Sequence, residues 1–430
     1  MIVMGGIIGA GIFMNPSVVA RQVHTPAMIL GVWTLGGLVA LAGAFIYAEL
    51  AARFPQAGGQ YAYLREAYHP AFAFLYGWAL LLVIQAGGMA AVAVTFARYF
   101  LELTAAPVSD AAVATAALAL LTAINCLGVR AGSRVQSALM VMKIAALAAL
   151  VGCGWLLAGA PNAALRPVLD RPASFDLLTA LGAALVPVFF SYGGWQTACF
   201  IAGEVREPRR NMPRGLLIGV CGVIVLYLAV NLVCVRALGA AGLAQTMTPA
   251  SEVMRLALGE KGATLIAVGI AVSTLGFLSQ SILTAPRVYF AMAEDGLFFR
   301  SAAWISPRTR VPVVAIALQG ALAIGVALAG RYEQILSYTE SMDWLFFGLT
   351  ATCLFVFRRR EARQGTRETP FRMPGHPLIT LLFVAASWLF VANTFYKYPR
   401  NAAIGLGIVL AGIPAYFLWR RRPAPQKGER

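Results

Sequence analysis

Gly5-Gly6-Ile7-Ile8-Gly9-Ala10-Gly11-Ile12-Phe13, followed by Asn15 and Pro16, lies in an apolar run, 1–20, long enough to enter a bilayer. A membrane helix needs about 20 apolar residues, but this one has small residues at its middle. The glycines let the helix unwind around 9–13, and Pro16 suits the first turn of a fresh half-helix. In hydrocarbon, unwound backbone is tolerated only against protein, water or ligand. A break here therefore predicts a cavity near the bilayer midplane. Gly5, Gly9 and Ala10 could equally make a close-packing face for another helix. The choice is decided downstream, where a second apolar span carries Phe190-Ser191-Tyr192-Gly193-Gly194-Trp195, an interruption of the same kind.

Composition sets the class. The 430 residues are 60% hydrophobic and 12% charged, with a mean hydropathy of +0.74. That balance belongs to a polytopic helical membrane protein. The net charge of +16 does not point to nucleic acid, because the basic residues sit in short segments between apolar runs. The six cysteines (126, 153, 199, 221, 234, 353) lie within apolar runs with no CxxC pair, so neither a disulfide framework nor a zinc site is expected. The start lacks the basic flank of a cleavable signal peptide, and we expect residues preceding Met1 to be absent from this chain.

Twelve spans are expected, at 1–21, 27–52, 70–101, 108–128, 132–158, 176–203, 213–238, 263–293, 312–330, 333–357, 377–396 and 401–419. If the segment before Ala71 is cytoplasmic, 23 of the 34 basic residues fall on the cytoplasmic side and ten outside, with Lys143 left within the membrane. Arg358, Arg359, Arg360, Arg420, Arg421 and Arg422 are on the inside; Arg166, Arg171, Arg236 and Arg331 are outside. The positive-inside rule then places both termini in the cytoplasm. Five spans separate the two interruptions, so a unit of five spans would recur in opposite orientation. Interrupted helices at matching positions of two halves point to a transporter binding site. The expected organisation is a single transporter domain. It holds a first inverted repeat over 1–158, a second over 176–357, two added spans over 377–419 and a disordered cytoplasmic tail over 420–430. In the long loop 239–262, Thr248-Pro249-Ala250-Ser251-Glu252 reads as the start of a short surface helix.

Gly5-Gly6-Ile7-Ile8-Gly9-Ala10-Gly11-Ile12-Phe13 with Pro16 resembles the first span of the amino acid–polyamine–organocation (APC) superfamily. Ala48-Glu49-Leu50, Gly58-Gly59-Gln60-Tyr61-Ala62-Tyr63, Phe190-Ser191-Tyr192-Gly193-Gly194-Trp195 and Glu204 … Pro208 … Asn211-Met212-Pro213 are similar to its L-type amino acid transporter branch. The resemblance runs from residue 1 to about 357, with the motifs in order. It implies the all-α, inverted-repeat leucine-transporter fold with spans 1 and 6 broken, and amino acid transport. Ala10 departs from the Ser of many relatives; it loses a hydroxyl but stays small. Mammalian members of the branch join a heavy chain through a cysteine between spans 3 and 4. The segment 102–110 has none, so no disulfide-linked partner is expected and the chain looks like a stand-alone prokaryotic type.

An amino acid is a zwitterion, and two broken helices suit both of its charges. Free amides at the start of a half-helix bind a carboxylate, a role expected of the backbone of Ala10, Gly11 and Ile12. Free carbonyls at the end of another accept from an ammonium, a role expected of Ile7, Phe190 and Ser191, with Gly193 beside them. Phe190 stands where the resemblance puts an aromatic gate; packing against lipid or protein is the plainer alternative. Trp195 reads as a packing anchor. Lys143 lies mid-span, where a buried ammonium is expensive and usually functional, although a structural clamp on carbonyls is the competing reading. The resemblance places it where sodium-coupled relatives hold sodium, so it would bridge the first break to span 8 near Ser273 or Thr274. Transport would then be sodium-independent, with Lys143 as a fixed cation or a proton carrier.

Glu340 and Asp343 share one face of span 10. They would cap or pair with Arg331, or else face the cavity and favour a cationic side chain. Glu204 reads as a cytoplasmic gate with Arg206, Arg209 and Arg210. His24, His69 and His376 are scattered, so no metal site is expected, and no cofactor is implied. The spans hold few acidic residues, which favours a secondary active transporter, exchanger or facilitator, of neutral L-amino acids in the plasma (inner) membrane. A proton-coupled carrier of cationic amino acids or polyamines is the alternative within the class. A transport-inactive amino acid sensor would look the same in sequence. A channel would want repeated polar rings, and a hydrolase a nucleophile with a nearby base; neither pattern is present.

Overall fold

The computed structural model describes residues 1–159, 168–169, 172, 174–329, 332–365 and 370–420, and the described residues are helices joined by short turns. The order is α1 (Ile2–Ile7), α2 (Gly11–Ala20), α3 (Pro26–Arg53), α4 (Gln60–Ala67), α5 (Pro70–Ala79), a π-helical stretch (Leu80–Gln85), α6 (Ala86–Thr104), α7 (Asp110–Cys126), α8 (Val129–Leu157) and α9 (Phe175–Tyr192). A 3-10 helix (Trp195–Glu204) follows, then α10 (Pro208–Gln245), α11 (Pro249–Thr284), α12 (Pro286–Glu294), a 3-10 turn (Arg300–Ala303), α13 (Val313–Ala329), α14 (Tyr332–Gln364), α15 (Leu378–Lys397) and α16 (Pro399–Arg420).

Local chemistry sets several of these boundaries. Thr25 accepts from the Met28 amide at the start of α3, with Pro26 in the first turn. Ser109 and Ser174 cap α7 and α9 in the same way, satisfying amides that a helix start leaves open. Pro208, Pro249 and Pro286 open α10, α11 and α12, where a missing N–H costs nothing. Among the described residues, nine helices are long and apolar enough to cross a membrane, and Gly11–Ala20, Asp110–Cys126 and Val313–Ala329 are shorter apolar helices. Large apolar side chains such as Ile218, Val225, Leu120 and Leu389 are exposed. An apolar belt of that kind fits lipid rather than water. The protein is an integral membrane protein.

The two interruptions are present, but not quite where the sequence puts them. The first falls at Ile8–Ala10, and Gly11, Ile12 and Phe13 already belong to α2. Pro16 lies inside α2 rather than in its first turn. The second falls at Gly193–Gly194, with Ser191 and Tyr192 still in α9 and a 3-10 helix beyond. The expected surface helix after Thr248 is the first part of α11, bent away from the rest at Gly259. Arg166, Arg171, Arg331 and the tail from 421 lie outside the described residues.

Aromatic packing holds the second interruption against the core. Trp195 stacks on Phe347 at 5.3 Å and meets Tyr47 edge-on at 4.7 Å. Tyr192, Trp33 and Tyr227 form a triangle with centroids 5.2–5.8 Å apart. At the end of the molecule carrying Arg53, Glu49 and Glu361 share a buried network with Arg53, Arg358 and Arg372, at 2.6–2.7 Å. It ties α3, α14 and the segment around Met373 together.

Candidate functional site

The first gap leaves backbone groups unpaired. Phe13 N–H donates to Ala10 O at 3.1 Å. Among the described residues, the amides of Gly9, Ala10, Gly11 and Ile12 make no backbone hydrogen bond. Open donors of this kind at a helix start are suited to an anion. On the other side of the gap, most freed carbonyls are already occupied. Lys143 Nζ donates to Gly5 O at 2.9 Å and to Ile8 O at 2.5 Å. Tyr227 donates its hydroxyl to Ile7 O at 3.2 Å, and Ser273 donates to Gly9 O at 3.4 Å. The Ile7 carbonyl, expected to face an ammonium, is thus taken by Tyr227. The Gly6 carbonyl has no donor among the described residues.

The second gap lies directly against the first. A Cβ on Gly194 would overlap the Gly6 carbonyl, and one on Gly6 would lie 2.6 Å from Gly194 O. Gly194 also has φ +98°, a backbone state that side chains disfavour. Asn15 fastens the two elements, donating to Pro187 O and Ser191 Oγ, both at 2.8 Å. Ser191 Oγ itself donates to Pro187 O at 2.8 Å, so its hydroxyl is committed to structure. Gly193 N–H closes on Phe190 O at 3.3 Å, which leaves the Phe190 carbonyl less available than expected.

Between the gaps is a cavity of about 60 Å³, several times the roughly 10–15 Å³ that one water needs. Its wall includes Gly6, Ile7, Ala10 and Gly11 from the first gap and Phe190, Ser191, Gly193 and Gly194 from the second. Opposite them stand Ile84 and Gln85 of the π-helical stretch, Phe277 of α11, and Glu340 and Asp343 of α14. Glu340 and Asp343 therefore face the cavity, and pairing with Arg331 lies outside the described residues. Gly194 N–H donates to Gln196 Oε1 at 3.0 Å, and Gln196 Nε2 donates to Asp343 Oδ2 at 3.3 Å.

Lys143 does not line this cavity. It is fully buried behind α1, and its Nζ would lie 3.5 Å from a Cβ placed on Gly276 of α11. Thr274, expected beside it, donates to Ala271 O within α11 at 2.7 Å. Glu204 pairs with Arg287 at 2.8 Å rather than with Arg206, Arg209 or Arg210. On the same side, Tyr61 donates to Asp295 at 2.7 Å, and Arg65 pairs with Asp295. Burial, then the charge of Asp295, raises the Tyr61 phenol above its ordinary value, so it remains a donor.

Sequence reading missed Gln85, Gln196 and Tyr227, and noted Asn15 without its partners. Gln85 and Gln196 had a signal, an amide side chain within an apolar run, but nothing in their spacing aimed them at a cavity. No three His, Cys, Asp or Glu side chains gather for a metal among the described residues.

The family model for amino acid permeases matches residues 1–417. The chain belongs to the amino acid permease family. This permease is 28% identical to the serine/threonine exchanger SteT of Bacillus subtilis over 98% of the chain and 95% of that protein. It is 30% identical to the large neutral amino acids transporter small subunit 2 of Oryctolagus cuniculus, over 98% of the chain and 80% of the relative. With the human b(0,+)-type amino acid transporter 1 it shares 28% identity, over 97% and 86%. These relatives are transporters; the permease is not an enzyme.

Proposed function

We propose that this permease is a secondary transporter of L-amino acids, exchanger or facilitator, which binds the zwitterion between its two helix gaps and works by alternating access. One observation carries the reading: open amides at the start of α2 and the open Gly6 carbonyl flank a single cavity. The substrate carboxylate meets the amides of Ala10, Gly11 and Ile12. Its ammonium meets Gly6 O and the end of α9, in place of the expected Ile7 O. Phe190 closes over the substrate. Amino acids with neutral side chains are among the expected cargo, supported by the apolar patch of Ile84, Phe190 and Phe277. The exchanger reading is supported by the name of the Bacillus relative.

Transport is sodium-independent in this account. Lys143 supplies a fixed positive charge to the carbonyls of Gly5 and Ile8, where a mobile cation would otherwise be needed. The chain has twelve spans in two inverted repeats, 1–158 and 176–357, plus 377–419, in the plasma (inner) membrane with cytoplasmic termini. Glu204 with Arg287 works at the cytoplasmic gate. No disulfide-linked heavy chain is expected, since 102–110 offers no cysteine. Uptake of labelled leucine by purified protein in liposomes tests the reading. Uptake that needs internal amino acid but no sodium is expected; uptake that needs sodium, or no uptake of any amino acid, overturns it.

A further inference from the structure

Two carboxylates in the wall of the cavity exceed what a zwitterion requires. Glu340 and Asp343 are three residues apart on α14, which puts them on one face, and both line the cavity with the helix gaps. Asp343 is only 7% exposed. One of its oxygens holds Gln196, and through Gln196 the Gly194 amide at the second gap. The other, Oδ1, is buried with no hydrogen-bond partner among the described residues. A buried carboxylate oxygen without a donor is costly, and a pair of carboxylates without a counter-charge is more so. No Lys or Arg lines the cavity among the described residues. Lys143 is behind α1, and its bonds go to Gly5 O and Ile8 O.

We infer that Glu340 and Asp343 form a cation subsite of the transport cavity, so that its substrates include amino acids bearing a second ammonium on the side chain. The inference rests on the amino acid reading of this cavity. Asp343, tied through Gln196 to the second gap, stands beside the place of the α-ammonium. Glu340, one turn earlier on α14, takes the side-chain ammonium. The aliphatic stem of such a side chain lies along Ile84 and Phe277. A cavity without this pair would reject a lysine side chain far more strongly than an isosteric neutral one, since desolvating an unpaired ammonium is expensive.

The test compares lysine with norleucine, which has a similar chain without the ammonium, as competitors of labelled leucine exchange in liposomes. In the unaltered protein, lysine should compete within about threefold of norleucine or better. In Glu340→Gln, the preference for lysine relative to norleucine should fall by at least about tenfold, with Asp343→Asn as the second variant. A protein that exchanges leucine for norleucine but ignores lysine overturns the cation subsite and leaves the amino acid reading intact. An unchanged lysine-to-norleucine ratio in both variants also overturns it. A protein that takes up amino acids but exchanges neither competitor overturns the subsite alone; one that takes up no amino acid overturns the function proposed above, and this subsite with it.

Discussion

Lys143 joins three elements at one atom. Its ammonium holds Gly5 O and Ile8 O at the α1 end of the first gap, and its stem packs on Gly276 of α11. Removing it would leave two buried carbonyls without donors, each costing roughly 1–3 kcal/mol. Lys143→Ala should therefore cut leucine exchange at least about tenfold at unchanged expression, and a variant that transports normally would refute its role. The lysine was legible in the sequence because a charge in mid-span has few innocent explanations. Its contact with α11 was legible only through family resemblance. The partner of Glu204 was misread, because loop arginines nearby in sequence hid Arg287, 83 residues away. Glu204→Gln should leave Arg287 without its carboxylate partner and alter the rate of exchange more than the apparent substrate affinity, as measured by initial-rate kinetics.

In the proposed mechanism the helix gaps hold the substrate, and glycine makes their contact possible. At Gly194 a methyl group meets both a positive φ and the Gly6 carbonyl. The backbone alone costs roughly 1–2 kcal/mol in such a state, before the overlap. Gly194→Ala should abolish exchange, whereas Gly215→Ala, with open space around it, should transport normally; equal activity in the two would contradict the packed-gap geometry. The existence of both gaps could be read from clustered small residues. Their limits could not, because Gly11 tolerates helix as well as coil, and the helix resumes as soon as α2 can close its first turn. The π-helical stretch at Leu80–Gln85 left no mark in the sequence: its residues are ordinary helix formers, and tertiary contact, such as Thr339 donating to Val83 O at 3.3 Å, accompanies the wider turn.

Across the whole molecule, composition was enough to give the helical membrane class, and apolar runs gave most helices. The joins were harder. Gly239 and Gly259 bend α10 and α11 without ending them, so the loop 239–262 is more helical than its polar residues imply. The network of Glu49, Arg53, Glu361, Arg358 and Arg372 could not be foreseen either, since its members are up to 323 positions apart in the chain. Breaking a buried ion network by removing one partner typically costs about 3–5 kcal/mol. Arg53→Ala should lower the thermal midpoint of the detergent-solubilised protein by several degrees, and an unchanged midpoint would show that the network adds no stability.

The central claim is that bare peptide groups, rather than side chains, hold the α-carboxylate. A structure with leucine bound tests it most directly. The account predicts carboxylate oxygens within about 3 Å of the amides of Gly11 and Ile12, with the ammonium toward Gly6 O and the end of α9. A carboxylate held by a charged side chain, with those amides unengaged, would contradict it.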